Sequence, residues 1–249
     1  MNLLSRFQFR PILTVAMLIS LAILISLGTW QMQRLQWKND LIAKTEARIN
    51  APPIPFGDAL ARQLAGEDMT YTPVSATGAY FNENEIHVFG TLDAKAGYYV
   101  FTPFVRKDDD QMIFINRGFI PQKLKEKSAR KKGLLKGSVK VSGLFRMPET
   151  VRGVAAMVKP ADLPQVNEWH QRNPAAFATA SGIDAAFAYI DSNGAENPGD
   201  WPRGGTTRLD FRNKHFEYAL TWYGLAAALI GVWIAFSLQP RQKSNNFKK

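Results

Sequence analysis

Hydrophobic and polar positions alternate in three regimes along this chain. Ile12–Trp30 is a 19-residue run without charge, and Tyr218–Leu238 is a 21-residue run without charge. About 20 apolar residues span a hydrocarbon core of roughly 30 Å. A segment inside lipid must satisfy its own backbone hydrogen bonds, so each run predicts a transmembrane helix. Trp30 and Trp37 follow the first run, and Tyr218, Trp222 and Tyr223 open the second, which is where interfacial aromatic residues belong. Beyond Trp30, the residues Met32, Leu35, Leu41, Ile42 and Ile49 keep a rough helical period among polar neighbours. The first helix therefore continues out of the membrane until Asn50-Ala51-Pro52-Pro53 stops it.

The stretch between the two runs is polar and β-rich. Phe56–Ala65 reads as a short helix closed by Gly66. Tyr71–Phe81 and Glu85–Phe89 read as strands, with Gly78 and Asn82–Asn84 as turn signals. Tyr98–Val105 and Met112–Phe119 flank Lys107-Asp108-Asp109-Asp110 and read as a hairpin, with Gly118 and Pro121 stopping its second arm. Ser138–Phe145 is a further strand, Ala175–Ala180 a short helix ended by Gly182, and Ala186–Asp191 a strand. Asn193–Gly205, rich in Gly, Pro and Asn, reads as a loop. The fold class expected is membrane-anchored α+β: two transmembrane helices flanking, in sequence, an antiparallel β-rich extracytoplasmic domain, for which a small barrel is one closed form.

Charge orients this arrangement. The net charge is +10, and the tails 1–11 and 239–249 carry Arg6, Arg10, Arg241, Lys243, Lys248 and Lys249 with no acid. Short basic tails stay on the cytoplasmic side, whereas a long loop crosses largely regardless of charge. The expected organisation is a cytoplasmic tail (1–11), a first membrane helix (12–30), an extracytoplasmic, periplasmic domain (31–217), a second membrane helix (218–238) and a cytoplasmic tail (239–249). The expected location is the cell inner membrane. A cleaved signal peptide is the alternative for the first run, since Ser26-Leu27-Gly28 resembles a small-x-small site, but the apolar stretch is longer than a usual signal core. The basic excess points to the anionic lipid bilayer as a partner, and not to nucleic acid.

The absence of cysteine removes disulfides, thiolate ligands and a cysteine nucleophile. Gly-x-Ser-x-Gly, His-Glu-x-x-His and a phosphate-cradling Gly-Lys-Ser/Thr loop are also missing. Asp108–Asp110 offers paired carboxylates on paper and reads as a solvated hairpin tip. Lys123–Lys136 holds seven basic residues and one acid, Glu126, and reads as a solvated, mobile loop before it reads as a dock for an acidic partner or lipid. His87, inside an alternating strand, reads as an ordinary surface or core histidine.

His215 stands apart because it lies in the turn before the second apolar run. The first helix leaves the membrane at the same outer interface through Gly28–Arg34, so two distant polar-aromatic segments reach one depth. His215, Tyr218 or Ala219, and Trp222 share one helical face. Gly224 with Ala228, and Ala227 with Gly231, repeat at four and would admit a close neighbouring helix. A neutral imidazole is what a metal or haem iron takes as a ligand. Arg208, Arg212 and Arg34 are placed to pair carboxylates such as haem propionates. The plainer reading of His215 is an interfacial anchor.

"LGTWQMQRLQWKNDLI" (27–42), "FTPF" (101–104), "INRGFIP" (115–121), "GLFRMPET" (143–150), "NEWHQRNPAAFATASG" (167–182) and "RNKHFEYALTWYGLA" (212–226) together resemble the surfeit locus protein 1 family, in order and over nearly the whole chain. The resemblance implies an assembly factor for haem-copper cytochrome c oxidase that helps haem a reach, or stay stable in, the catalytic subunit. It implies His215 as the haem-linked histidine. It makes Asn116-Arg117-Gly118 part of a surface facing the oxidase, where the residues alone read as a strand edge. Asn173 departs from the acidic residue that is common in the family after the arginine.

The expected function is thus a non-enzymatic assembly factor. His215 is the candidate iron ligand, and Arg212, Arg34, Tyr218, Trp222 and Trp30 are the candidate haem-pocket residues. The expected cofactor is transient haem a, and the expected partners are the oxidase catalytic subunit and the haem a synthesis machinery. The alternative is a scaffold that stabilises an oxidase intermediate without binding haem. A membrane-tethered hydrolase is the third class, for which no nucleophile–base pair is visible.

Overall fold

The computed structural model describes residues 9–149, 160–194, 197, 200–206 and 213–239. The chain separates into two bodies, a helical one from the two ends of the chain and a β-rich one from residues 45–209. The helical body contains most of α1 (Pro11–Ile49) and all of α4 (His215–Ser237). Both helices are long and apolar enough to cross a membrane, and only 11% of the most apolar window of each is buried. With the short basic tails outside these spans, this is a two-pass membrane protein with a large extracytoplasmic domain. α1 runs unbroken past the membrane stretch and stops at Ile49, immediately before Asn50-Ala51-Pro52-Pro53.

The β-rich body contains β1 (Ile54–Pro55), α2 (Phe56–Leu64), β2 (Pro73–Tyr80), β3 (Ile86–Leu92), β4 (Lys95–Arg106), β5 (Met112–Pro121), β6 (Val139–Arg146), α3 (Pro174–Ser181) and β7 (Ala185–Ser192). Five strands close a ring in the order β2–β6–β7–β5–β4, with β4 returning to β2 through Gly78, Ala79 and Tyr80. β3 extends the sheet beside β4, and β1 pairs with β2. The small barrel is therefore present. Its pairing departs from the all-antiparallel expectation at β5–β7, which is parallel, with Phe114 opposite Tyr189 and Asn116 opposite Asp191. A ring with an odd number of strands cannot alternate direction all the way round, so one neighbouring pair must run parallel.

β4 and β5 are buried on both faces along most of their length, which is why they read as apolar runs instead of a clean alternation. One face contributes Phe104, Ile113 and Ile115 to a core with Val74, Val141, Phe145 and Ile190, closed by Phe56, Ala59 and Leu60 of α2. The other face contributes Phe101, Phe114 and Phe119 to a second core with Val88, Trp169, Phe177 and Tyr189. Phe177 of α3 sits edge-on to Phe101, Phe114 and Trp169 at centroid distances of 5.3, 5.5 and 5.0 Å. Burying one such side chain contributes about 1.5–3 kcal/mol, and each edge-to-face pair somewhat more. α3 is short and sharply bounded. The Asn173 side chain accepts from the Ala176 amide, Pro174 opens the first turn, and Gly182 closes the helix in the left-handed region at φ 65°. An amide or a carboxylate caps a helix about equally well, so an acidic residue at position 173 would serve this cap as Asn173 does.

Gly118 is a constrained point in β5. Its φ is +113°, and a Cβ there would overlap the carbonyl oxygen of Arg203, with which Phe119 makes a reciprocal pair of backbone hydrogen bonds of 2.9 Å. Gly118→Ala is therefore expected to lower the stability of the full-length protein in detergent by about 3 kcal/mol, from strain and overpacking together. Urea unfolding followed by tryptophan fluorescence measures this, and a change under about 1 kcal/mol, on the order of an ordinary surface substitution, would contradict it.

Candidate functional site

The helical body is an antiparallel pair joined by a ladder of contacts that run in opposite order along the two helices. From one end to the other these are Arg10 Nη2 to the Gln239 carbonyl (3.2 Å), Trp233 Nε1 to Thr14 Oγ1 (3.2 Å), Thr29 Oγ1 to Tyr223 Oη (3.4 Å), Gln31 Oε1 to His215 Nδ1 (2.7 Å) and Asn213 Nδ2 to Asn39 Oδ1 (2.8 Å). Among the buried and half-buried positions of α1, one set recurs at alternating steps of three and four: Thr14, Met17, Leu21, Leu24, Gly28, Gln31. On α4 they are His215, Ala219, Trp222, Ala226, Leu229 and Trp233. That 3-4 spacing is the seam of a left-handed helix pair.

Small residues work on this seam differently from the sequence pattern. Gly28 is the close-approach point, because a Cβ there would lie 2.6 Å from the Tyr223 ring. Ala219, Ala226 and Ser237 are the buried small residues of α4. Gly224 and Gly231 instead face open space, with nothing within 4 Å of a Cβ built on either.

His215 is the first residue of α4 and is half-buried at the end of this seam. Its backbone amide donates to Asn213 Oδ1 at 3.4 Å. The Gln31 side-chain oxygen lies 2.7 Å from Nδ1; an amide oxygen only accepts, so a hydrogen bond there requires the proton on Nδ1 and leaves the Nε2 lone pair for a ligand. Among the described residues Nε2 has no hydrogen-bond partner. Trp222, two turns on, shares the His215 face and is half-buried. Tyr218 and Trp30 lie off the seam, 54% and 51% exposed. Arg34 is placed over the Trp37 ring, 4.3 Å from its centroid. Arg212 and Arg208 lie outside the described residues. The geometry thus joins His215 with Trp222 and adds Gln31, which the sequence reading left out. The signal that would have found Gln31 is its position three residues beyond Gly28 on the α1 seam.

Among the described residues no three His, Cys, Asp or Glu side chains come together as a metal-ion cage. A single imidazole with one nitrogen held and the other open would suit a haem iron better than a bare metal ion, which takes several protein ligands.

The β-rich body holds a second, buried polar cluster. Glu85 Oε1 lies 3.0 Å from His87 Nε2, and Arg130 forms a two-pronged ion pair with the Glu85 carboxylate, one prong Nη1 to Oε2 at 3.1 Å. Arg130 also donates through Nε to the Leu124 carbonyl at 2.9 Å and through Nη2 to the Lys125 carbonyl at 3.2 Å. Asn167 donates to the Glu85 carbonyl at 2.8 Å and accepts from the His87 amide at 3.2 Å. Arg117, 5% exposed, donates to the Gly133 carbonyl and to Asn82 Oδ1 and lies 4.5 Å from the Tyr80 ring centroid. The Lys123–Lys136 stretch is therefore an ordered cover pinned by two buried arginines, and not the mobile loop its charge suggests. His87 is a member of a buried ionic cluster. The Asn116-Arg117-Gly118 motif faces inward: Asn116 is 1% exposed and donates to Asp191 Oδ1 at 2.7 Å, while the Gly118 amide donates to Asn116 Oδ1 at 3.1 Å. Asp108 and Asp109 pair with Arg106 at 2.5 and 3.2 Å, an ion pair at the hairpin tip.

Burial by itself raises the Glu85 carboxyl, but the hydrogen bonds and charges of His87 and Arg130 outweigh it and hold the group below its ordinary value. A carboxyl lowered by folding contributes stability above its unfolded value of about 4.3, and that contribution is lost as pH falls through the folded value. Glu85→Gln leaves Arg130 buried without its counter-ion and is expected to cost about 3–5 kcal/mol at neutral pH. Its stability is also expected to fall less steeply than that of the unmodified protein on acidification below about pH 4.3. Urea titrations at a series of pH values read both effects, and parallel pH profiles would contradict the assignment.

Comparison with known proteins gives a consistent picture. A family model described as the SURF1 family matches residues 18–227. Human surfeit locus protein 1 is 34% identical over 223 residues, covering 83% of this chain and 71% of that protein. Surfeit locus protein 1 of Xenopus tropicalis is 34% identical over 224 residues, covering 84% and 70%. The SURF1-like protein of Monosiga brevicollis is 33% identical over 222 residues, covering 84% and 81%.

Proposed function

We propose that this chain, which belongs to the SURF1 family and is a non-enzymatic assembly factor for cytochrome c oxidase, holds haem a in transit through the Nε2 of His215. The observation that carries this reading is the state of the ring: Nδ1 is engaged by Gln31 at 2.7 Å, and Nε2 has no hydrogen-bond partner among the described residues. Trp222 on the same face offers a flat apolar surface for packing. Trp30 and Tyr218, both exposed, and the guanidinium groups of Arg34 and Arg212 complete the proposed surroundings, the arginines as propionate partners. When bound, haem a would supply the redox-active iron that the oxidase needs; the chain's own work is to bind, orient and release it. One strong protein ligand, instead of two, suits release.

In this reading the protein lies in the cell inner membrane with both termini cytoplasmic and its large domain periplasmic. It takes haem from the haem a synthesis machinery and yields it to the catalytic subunit of the oxidase. The six cations of the two tails favour that orientation. A second reading, a scaffold that stabilises an oxidase intermediate without haem, is favoured by one observation. Gly224 and Gly231 of α4 face open space, so that side of the helix is free to meet a membrane helix of the oxidase.

Detergent-purified protein, co-produced with the haem a synthesis machinery, separates the readings. The unmodified chain is expected to carry a haem spectrum, and His215→Ala to lose at least about 90% of it, the loss that follows when the one strong ligand is removed. A spectrum that survives in His215→Ala removes His215 from the role. Protein without a chromophore that still restores oxidase assembly favours the scaffold.

A further inference from the structure

We infer that Gln31 is a positioning residue for His215, fixing which ring nitrogen is protonated and therefore which one is open to a ligand. An imidazole at a membrane edge has two neutral tautomers, and the hydrogen bond made by one nitrogen selects between them. Here the selecting group is the side-chain carbonyl of Gln31, 2.7 Å from Nδ1. Its placement is not incidental to the fold. Gln31 is the next seam position after the buried Gly28, on a face whose other half-buried members include Leu21, Leu24 and Leu35. A polar amide on an apolar seam is costly without a partner, and the first residue of α4 provides one. Gly28 and the Tyr223 ring set the approach of the two helices one turn away, so the amide meets the ring over a short, fixed gap. The arrangement parallels metal-ligating histidines generally, whose second nitrogen is held by an acceptor that fixes ring orientation and strengthens the ligand.

The inference rests on the haem reading for its consequence but not for its geometry, and the experiment keeps the two apart. The chain has only three histidines, so the ring nitrogens of 15N-histidine-labelled full-length protein in detergent can be resolved by NMR and those of His215 assigned by their loss in His215→Ala. At mildly alkaline pH the ring of the unmodified protein is expected to be the Nδ1–H tautomer. Gln31→Glu retains an acceptor but has no N–H to offer, and is expected to preserve that tautomer. Gln31→Met keeps length and volume but removes the acceptor, and is expected to shift the ring toward Nε2–H. If Gln31 serves only to set the helix register, Gln31→Met changes stability and leaves the tautomer as it was, which overturns the inference. An Nε2–H ring in the unmodified protein, or in Gln31→Glu, overturns it as well, and the latter test remains if Gln31→Met fails to fold. In haem-loaded protein, Gln31→Met is expected to retain haem about tenfold to a hundredfold less tightly, with Gln31→Glu close to the unmodified chain. Unmodified protein that carries no haem defeats the proposed function while leaving the tautomer result to decide the role of Gln31.

Discussion

Five strands cannot alternate direction around a closed ring, and much of the β-rich body follows from that constraint. One neighbouring pair must be parallel, and here it is β5 with β7. A parallel pair has to be joined by a long connection, because the chain must return to the end from which it started. The described parts of residues 122–184 make that return, and they carry the features that give the barrel its covers: the basic segment, the Asn167–Trp169 stretch and α3. Trp169 and Phe177 bring aromatic mass to the second core, and Arg130 brings charge to the Glu85–His87 cluster. Closure of the barrel, double burial of β4 and β5, and the seating of a cation-rich segment through the buried Arg130 are thus linked.

A cost accompanies this cover. Two arginines and a glutamate are withdrawn from water, and an ion pair in such a place contributes little net stability compared with a well-packed apolar substitute. Its effect is geometric. Arg130 is bound to a carboxylate and to two carbonyls of its own segment, and Arg117 to the Gly133 carbonyl, so the segment has one seating on the barrel. The alternative, a free loop of seven like charges with one acid, would be extended by its own repulsion.

The helical body follows a separate logic. In lipid there is little hydrophobic drive to bring helices together, so association depends on close packing and on a few polar contacts. The seam shows both. Gly28 admits the Tyr223 ring, and polar contacts occur toward the two ends, Thr14–Trp233 at one and Gln31–His215 at the other. The ring at the second end is consequently oriented by the same contacts that hold the pair. In the proposed function, a single oriented imidazole is what would let the protein both accept and surrender its cargo.

The features legible in the amino-acid order are local and compositional. The two charge-free runs specified their helices, the Asn-Ala-Pro-Pro stop ended α1 at Ile49, and Gly182 ended α3, because each depends on neighbours a few positions away. His215 was legible as a candidate through its place before an apolar run, and Trp222 through helical spacing. Tertiary structure decided the rest. Whether Arg117 faces water or the Gly133 carbonyl, and whether Arg130 faces water or the Glu85 carboxylate, depends on residues 16 and 45 positions distant. Which glycine meets a ring, Gly28 or Gly224, depends on the rotation of one helix against the other. The Gln31–His215 contact joins residues 184 apart. No local period encodes such pairings, because they are set by how whole faces pack and by the requirement that each buried polar group find a partner.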